Sequence, residues 1–118
     1  MTHSLSLDHK YFIQVYNGEK DYEMCLYDEQ RQYYEDNDII VVNEKETCRF
    51  YTAIITRVQY FEYINKPLEV YGFQNFLPDA KDLTDAIETY EKFPRYTEKG
   101  RELGVLIFKI TRISDISE

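Results

Sequence analysis

Polar and apolar residues alternate over Ser4-Leu5-Ser6-Leu7, and that period of two predicts a short strand. The period then changes. Phe12, Val15 and Tyr16 recur at i, i+3 and i+4, giving a helix one apolar face, with Asp8 placed to cap its start. Asn17-Gly18 ends it, because glycine takes the left-handed conformation that follows a helix at little cost. Tyr22-Glu23-Met24-Cys25-Leu26 reads as a strand, and the polar run from Tyr27 to Asp38 as a loop. Ile39-Ile40-Val41-Val42 is a short β-branched run, expected to be a strand buried on both faces, and Asn43 to Thr47 a charged turn. Arg49 to Phe61 is the longest strand candidate. It carries Thr52, Ile54, Thr56, Val58 and Tyr60 on one side, and Tyr51, Ala53, Ile55, Arg57 and Gln59 on the other.

The second half is less regular. Glu62 to Gly72 fits neither period, and Pro67 is expected to break it. Phe73 to Pro78 is a loop rich in large apolar residues, so it should pack down. Asp79 is expected to start a helix whose inner face is Leu83, Ala86, Ile87 and Tyr90, with Pro94 marking its end. Thr97 is placed to cap one more turn, closed near Gly100. Leu103 to Ile113 is a final strand, and Ser114 to Glu118 a tail expected to fray. The order strand, helix, several strands, helix, strand suits an α+β fold: a small open β-barrel of about five to six strands with two or three helices packed over it. Both apolar sides of the long strand agree with a sheet that curls and is covered by helices.

Composition narrows the function classes. A chain of 118 residues, 43% hydrophobic, forms one domain over residues 1–118 and buries roughly two-thirds of its surface. No apolar run approaches the ~20 residues that cross a bilayer, and Met1-Thr2-His3-Ser4 lacks a signal-peptide pattern, so the expected compartment is cytoplasmic, or nuclear by diffusion. Cys25 and Cys48 provide no disulfide framework or zinc signature and are expected as small buried thiols on strands. His3 and His9 have no partners at ligand spacing, so no metal is expected, and no motif calls for another cofactor. The formal charge of −8 and the lack of a basic run argue against non-specific binding of duplex DNA. A pocket for one nucleotide, or for a single-stranded end, needs only a few cations and an aromatic platform. The chain has 12 Tyr and 7 Phe, most of them expected as half-buried strand residues.

The stretch Gly18-Glu19-Lys20-Asp21-Tyr22-Glu23 places a turn glycine, a lysine and a glutamate where helix meets strand. Further along come Asp38-Ile39-Ile40, then Leu77-Pro78, the helical face from Leu83 to Tyr90, Tyr96, and Gly104-Val105-Leu106-Ile107-Phe108. In these stretches, and in their order over nearly the whole chain, the sequence resembles the ASCH domain family of the PUA-like β-barrels. The family has Gly, Lys and Glu at the first set of offsets, and an Arg two residues after the Glu. This chain has Cys25 at that Arg position and so lacks a permanent, forked cation there. Arg31 or Arg95 would have to supply it in space.

The resemblance implies a PUA-like barrel that binds RNA or nucleotides. Under it, Lys20 contacts a phosphate or a base carbonyl and Glu23 accepts from a donor edge. Asp28 and Arg31 follow the motif strand and would rim the same cleft, with Tyr96 as a stacking aromatic. The expected ligand is a nucleotide, a nucleoside or a short single-stranded RNA; the oligomeric state stays open. One small bacterial branch of the family is an amidohydrolase acting on acylated cytidine, with a catalytic Lys, a Thr three residues later and a distant Glu. Lys20 matches the Lys, but Glu23 stands at the Thr position and the distant Glu has no match. If this chain is an enzyme, Lys20 and Glu23 are the catalytic candidates. A third reading is a protein-interaction domain with a vestigial cleft.

Overall fold

The computed structural model describes residues 2–93, 96 and 102–118, so the expectations placed on Pro94, Arg95, Thr97 and Gly100 lie outside the described residues. Five strands, β1 (Thr2–Leu7), β2 (Tyr22–Leu26), β3 (Ile39–Glu44), β4 (Phe50–Phe61) and β5 (Val105–Arg112), form one sheet in the order β1-β3-β4-β5-β2. β1 runs parallel to β3; the other pairings are antiparallel. The helices α1 (His9–Tyr16), α2 (Asn65–Tyr71) and α3 (Leu83–Glu91) join the sheet in a small α+β open barrel. The order leaves β1 and β2 as the two edges, joined through α1, and the barrel stays open between them.

The curl has a local cause. The register of β4 against β5 shifts between Thr56 and Gln59, and Arg57 sits there at φ 53°. A bulge of this kind bends a strand and sharpens its twist. It also ends the expected alternation along β4: Tyr51, Ala53 and Ile55 are buried, and beyond the bulge Tyr60 is exposed. β5 is buried on both faces. Leu106, Phe108 and Ile110 join Phe12 and Val15 of α1 in one cluster, whereas Val105 and Ile107 join Tyr22 and Met24 of β2 and Leu68, Ala86 and Tyr90 of α2 and α3 in the other. The sheet therefore separates two small cores, and β2 feeds both.

Several expectations need correction. Pro67 does not break the chain; it is the third residue of α2, in the first turn, where no amide partner is needed. The third helix starts at Leu83 rather than Asp79, because Asp82 is the residue whose carboxylate accepts from the Asp85 amide at 2.8 Å. Asp8 precedes α1 but its side chain makes no capping bond and instead pairs with Lys45 at 3.6 Å. β3 is fully buried on one face only, at Ile40 and Val42, and runs on to Glu44 through part of the expected turn. Cys48 is exposed in a turn, not on a strand. The tail is held: Ser117 and Phe50 exchange both backbone bonds, at 2.7 and 2.9 Å. No helix among the described residues is long and apolar enough to cross a membrane.

Candidate functional site

Gly18 sets the site up. At φ 78° it reverses the chain below α1, so that the amides of Glu19 and Lys20 both bond the Gln14 carbonyl, at 2.9 and 3.1 Å. This closure fixes the Lys20 backbone against the helix and sends its side chain inward, where it is only 2% exposed. Its Nζ donates to the Phe76 carbonyl, stands 3.7 Å from Glu23 Oε2, and lies 5.5 Å from the centre of the Tyr11 ring. Burial pulls the Lys20 ammonium below its ordinary 10.5, against the opposing pull of Glu23. Glu23 comes from β2 and is also buried. Its Oε1 accepts from the Met24 amide at 3.2 Å, and its Oε2 has no hydrogen-bond partner among the described residues.

Asp28 organises the next turn. Its Oδ1 accepts from the amides of Gln30 and Arg31, both at 3.1 Å, and starts the 3₁₀ turn Arg31–Tyr33. The Arg31 guanidinium then lies 3.4 Å from Asp28 Oδ2, stacks over Tyr34 and sits beside the Cys25 thiol. Arg31 thus brings a forked cation to the place in space where Cys25 leaves one out. Burial pushes the Cys25 thiol up to about 12, which disfavours the thiolate. The Tyr96 hydroxyl donates to the Met24 carbonyl at 2.9 Å, and its ring packs edgewise on Tyr90. Burial raises the hydroxyls of both Tyr90 and Tyr96 well above 10.

Lys20, Glu23, Asp28, Arg31 and Tyr96 all line one cavity of ≈ 280 Å³. It lies in the open seam of the barrel, with Ser6 and Leu7 of β1 on one side and Glu23, Cys25 and Leu26 of β2 on the other. Tyr11, Tyr90, Phe93 and Tyr96 supply an aromatic wall. The charges among the described lining residues cancel in pairs: Lys20 with Glu23, Arg31 with Asp28, and Lys45 with Asp8. Most of the buried side-chain polar atoms without a partner, among the described residues, belong to this lining: Glu23 Oε2, Arg31 Nε and the Tyr90 hydroxyl.

Sequence reasoning missed Ser6, Tyr11, Leu26, Tyr90 and Lys45 as parts of this lining. Tyr90 was legible only as a core position of α3, and nothing local marks the others. The histidines pair with carboxylates far along the chain, His3 with Asp38 at 2.7 Å and His9 with Glu44 at 2.6 Å, neither of which short spacing reveals. The described residues contain no group of three or more His, Cys, Asp or Glu side chains able to hold a metal.

No family profile and no curated protein matches the sequence. Solved structures do. The hypothetical protein PH0355 matches with a TM-score of 0.84 and 25% identity, over 96% of this chain and 100% of that one. Protein PF0455 from Pyrococcus furiosus matches with a TM-score of 0.76 and 23% identity, over 98% and 100%. The ASCH domain from Lactobacillus crispatus JV V101 matches with a TM-score of 0.57 and 15% identity, over 94% of this chain and 79% of that one. With its sheet order, its curl at Arg57 and its helices placed as described, the chain has an ASCH-like fold.

Proposed function

We propose that the chain is a binding module for a nucleoside or nucleotide, free or at the end of a short single-stranded RNA, and that the base enters the seam cavity. One observation carries the reading. A pocket of ≈ 280 Å³ with an aromatic wall holds a buried carboxylate oxygen, Glu23 Oε2, that has no hydrogen-bond partner among the described residues and whose paired ammonium, Lys20 Nζ, stands 3.7 Å away, beyond hydrogen-bond distance. Buried acceptors are almost always satisfied, and the exception marks a place where a donor belongs. The volume is at the small end of ligand pockets, which run from ~300 to ~1,000 Å³, and suits one heterocycle with its sugar.

Charge decides which part of a nucleotide goes inside. Each lining cation among the described residues already faces a carboxylate, so a phosphate entering the cavity would meet no surplus positive charge from those residues. The neutral base meets both donors and acceptors. Lys20 therefore serves a base carbonyl rather than a phosphate, and Glu23 accepts from a base N–H. Efficiencies of about 0.3 kcal/mol per heavy atom over roughly 17 atoms give a nucleoside a Kd of order 0.1–1 mM. Calorimetric titration with the four ribonucleosides, their 5′-monophosphates and short oligoribonucleotides tests this. At least one base should bind, the added phosphate should change affinity by less than about threefold, and Glu23→Gln should weaken binding. Absence of binding across the panel refutes the reading.

Lys20 itself favours a second reading. Burial lowers the pKa of Lys20 beside Glu23, which moves the ammonium toward the neutral amine that a general base needs. On an acylated cytidine, Lys20 would take a proton from a water held by Glu23 as that water adds to the acyl carbonyl. The C–N bond then breaks, the proton passes to the departing amine, and cytidine and a carboxylic acid leave. Incubation with N4-acetylcytidine and chromatography of the products separates this from binding alone; no cytidine at high protein concentration excludes it.

A further inference from the structure

Edge strands expose main-chain groups, and strand alternation identifies which ones face the seam. On β1, the Leu7 carbonyl accepts from the Lys45 amide at 2.9 Å, and Leu7 stands in register with Glu44. The odd residues His3, Leu5 and Leu7 therefore turn their backbone groups toward β3, and the N–H and C=O of Ser6 face the open edge. On β2, the Asp21 carbonyl accepts from Ile110 at 2.9 Å and the Tyr27 amide donates to Gly104 at 3.1 Å. The odd residues thus face β5, and Tyr22, Met24 and Leu26 face the edge.

Met24 is covered on that edge by side chains: the Glu23 carboxylate takes its N–H and the Tyr96 hydroxyl bonds its C=O. No such cover is present over Ser6 or Leu26 among the described residues, and both line the cavity. Leu26 is buried, so its main-chain groups lack ready access to bulk water.

We propose that the main chains of Ser6 and Leu26, one from each edge strand, are the specificity-determining contacts for the ligand in the seam cavity. The ligand class is a neutral planar heterocycle whose rim carries a hydrogen-bond donor beside an acceptor, as in a lactam or an aminopyrimidine edge. A main-chain N–H and C=O on a strand present just that alternating pair. The inference rests on the base-binding reading above and adds who recognises the base. An extended peptide added as a sixth strand is the other occupant an open edge invites. The cover over Met24 blocks its ladder after Leu26, so only a ligand as short as one ring system is served.

The test is an amide-resolved NMR titration of the intact chain with the same four ribonucleosides and N4-acetylcytidine, combined with amide hydrogen exchange. Binding should shift the Ser6 and Leu26 amide signals and slow their exchange at least tenfold. Ser6→Pro removes only an outward-facing N–H, a change that edge strands tolerate, and should weaken binding about tenfold, the value of one lost hydrogen bond. A thermal melt checks each variant; if Ser6→Pro is unfolded, the exchange data on the unchanged chain decide alone. If a ligand shifts signals around Lys20 and Glu23 while the Ser6 and Leu26 amides stay unmoved, the main-chain assignment is wrong and the base-binding reading stands. If no ligand shifts either set, both fail together.

Discussion

Replacing Lys20 by methionine tests the electrostatic core of the site. Lys20 is 2% exposed, the Glu23 side chain 10%, and their charged atoms are 3.7 Å apart. At an effective dielectric constant of ~20, that separation is worth about 4.5 kcal/mol of attraction. Lys20→Met removes it and leaves Glu23 buried, opposite a Phe76 carbonyl that has lost its donor. Breaking a buried pair from one side costs about 3–5 kcal/mol, or a drop of roughly 10 °C or more in Tm for a chain of this size. Removing both partners, as Lys20→Met with Glu23→Leu, should restore most of the loss, because well-packed apolar residues often replace a buried pair at no net cost. Urea unfolding followed by circular dichroism on the four proteins gives the coupling energy directly. The pH dependence adds a sign. Burial holds Lys20 below 10.5, so between its lowered value and 10.5 the unfolded chain binds more protons than the folded one. Lys20's penalty is in full force below that window and is gone above it, so stability should rise with pH through the window, and Lys20→Met should abolish the rise. Near pH 10 the trend reverses, because Tyr11, Tyr90 and Tyr96 are held protonated in the fold and ionise first when unfolded. A Lys20→Met protein as stable as the original, or additive losses in the double variant, would show that the pair is not a buried charge couple and would remove the basis for the site.

Other expectations follow from single features. Gly104 sits at φ 74°, where an added Cβ would lie 2.8 Å from the Phe61 carbonyl, so Gly104→Ala should cost about 2–4 kcal/mol by urea unfolding; Gly18→Ala, at φ 78° with open space around it, should cost only about 1. In thiol titration at pH 8, Cys48 should react at once and Cys25, pushed up to about 12, only after unfolding; equal rates would contradict the burial of Cys25 beside Arg31. His3 holds the Asp38 carboxyl below 3.8, and His9 holds that of Glu44 below 4.5. Both contributions are present above those ordinary values and vanish as pH falls through the lowered ones, so Asp38→Asn with Glu44→Gln should flatten the acid limb of the stability curve below pH 4.5, measured by urea midpoints at pH 5 and 3.

What the sequence made legible was whatever one element settles by itself. The apolar stripe of α1, its stop at Gly18, and β2 and β4 all rest on periodicity within a few residues. Pro67 misled because its effect depends on helix position, harmless in the first turn and disruptive later. Asp79 and Asp82 carry the same capping side chain three residues apart, and only the Asp85 amide chooses between them. The bulge at Arg57 has no local signature, and the continuous burial of β5 reflects two cores on opposite faces, a property of the whole sheet. The same division holds at the cavity. Lys20, Glu23, Asp28 and Arg31 lie within a dozen residues on one turn-and-strand unit, so the family resemblance carried by that short stretch reached them. Ser6, Tyr11, Leu26 and Tyr90 enter only because the sheet leaves its seam between β1 and β2.

That seam also explains why so many charges sit around a small pocket. A five-stranded sheet that curls without closing leaves two rows of main-chain donors and acceptors facing each other, which invites pairing with another chain. Closing the gap with apolar side chains would strand those groups without partners. This chain instead lays a self-neutralising polar layer across it: Glu23 and Tyr96 cover Met24, Lys20 neutralises Glu23, and Asp8 with Lys45 spans the rim. The layer covers part of the edge, yet it does not complete itself, since Glu23 Oε2, Arg31 Nε and the Tyr90 hydroxyl have no hydrogen-bond partner among the described residues. Protection of an edge alone would need none of these groups, because a longer α1 or one more strand would do it without burying charge. A pocket that must admit and release a small polar ring needs donors and acceptors already in place and not yet used. The unfinished hydrogen bonding of the seam among the described residues is therefore the feature on which the proposed ligand reading rests.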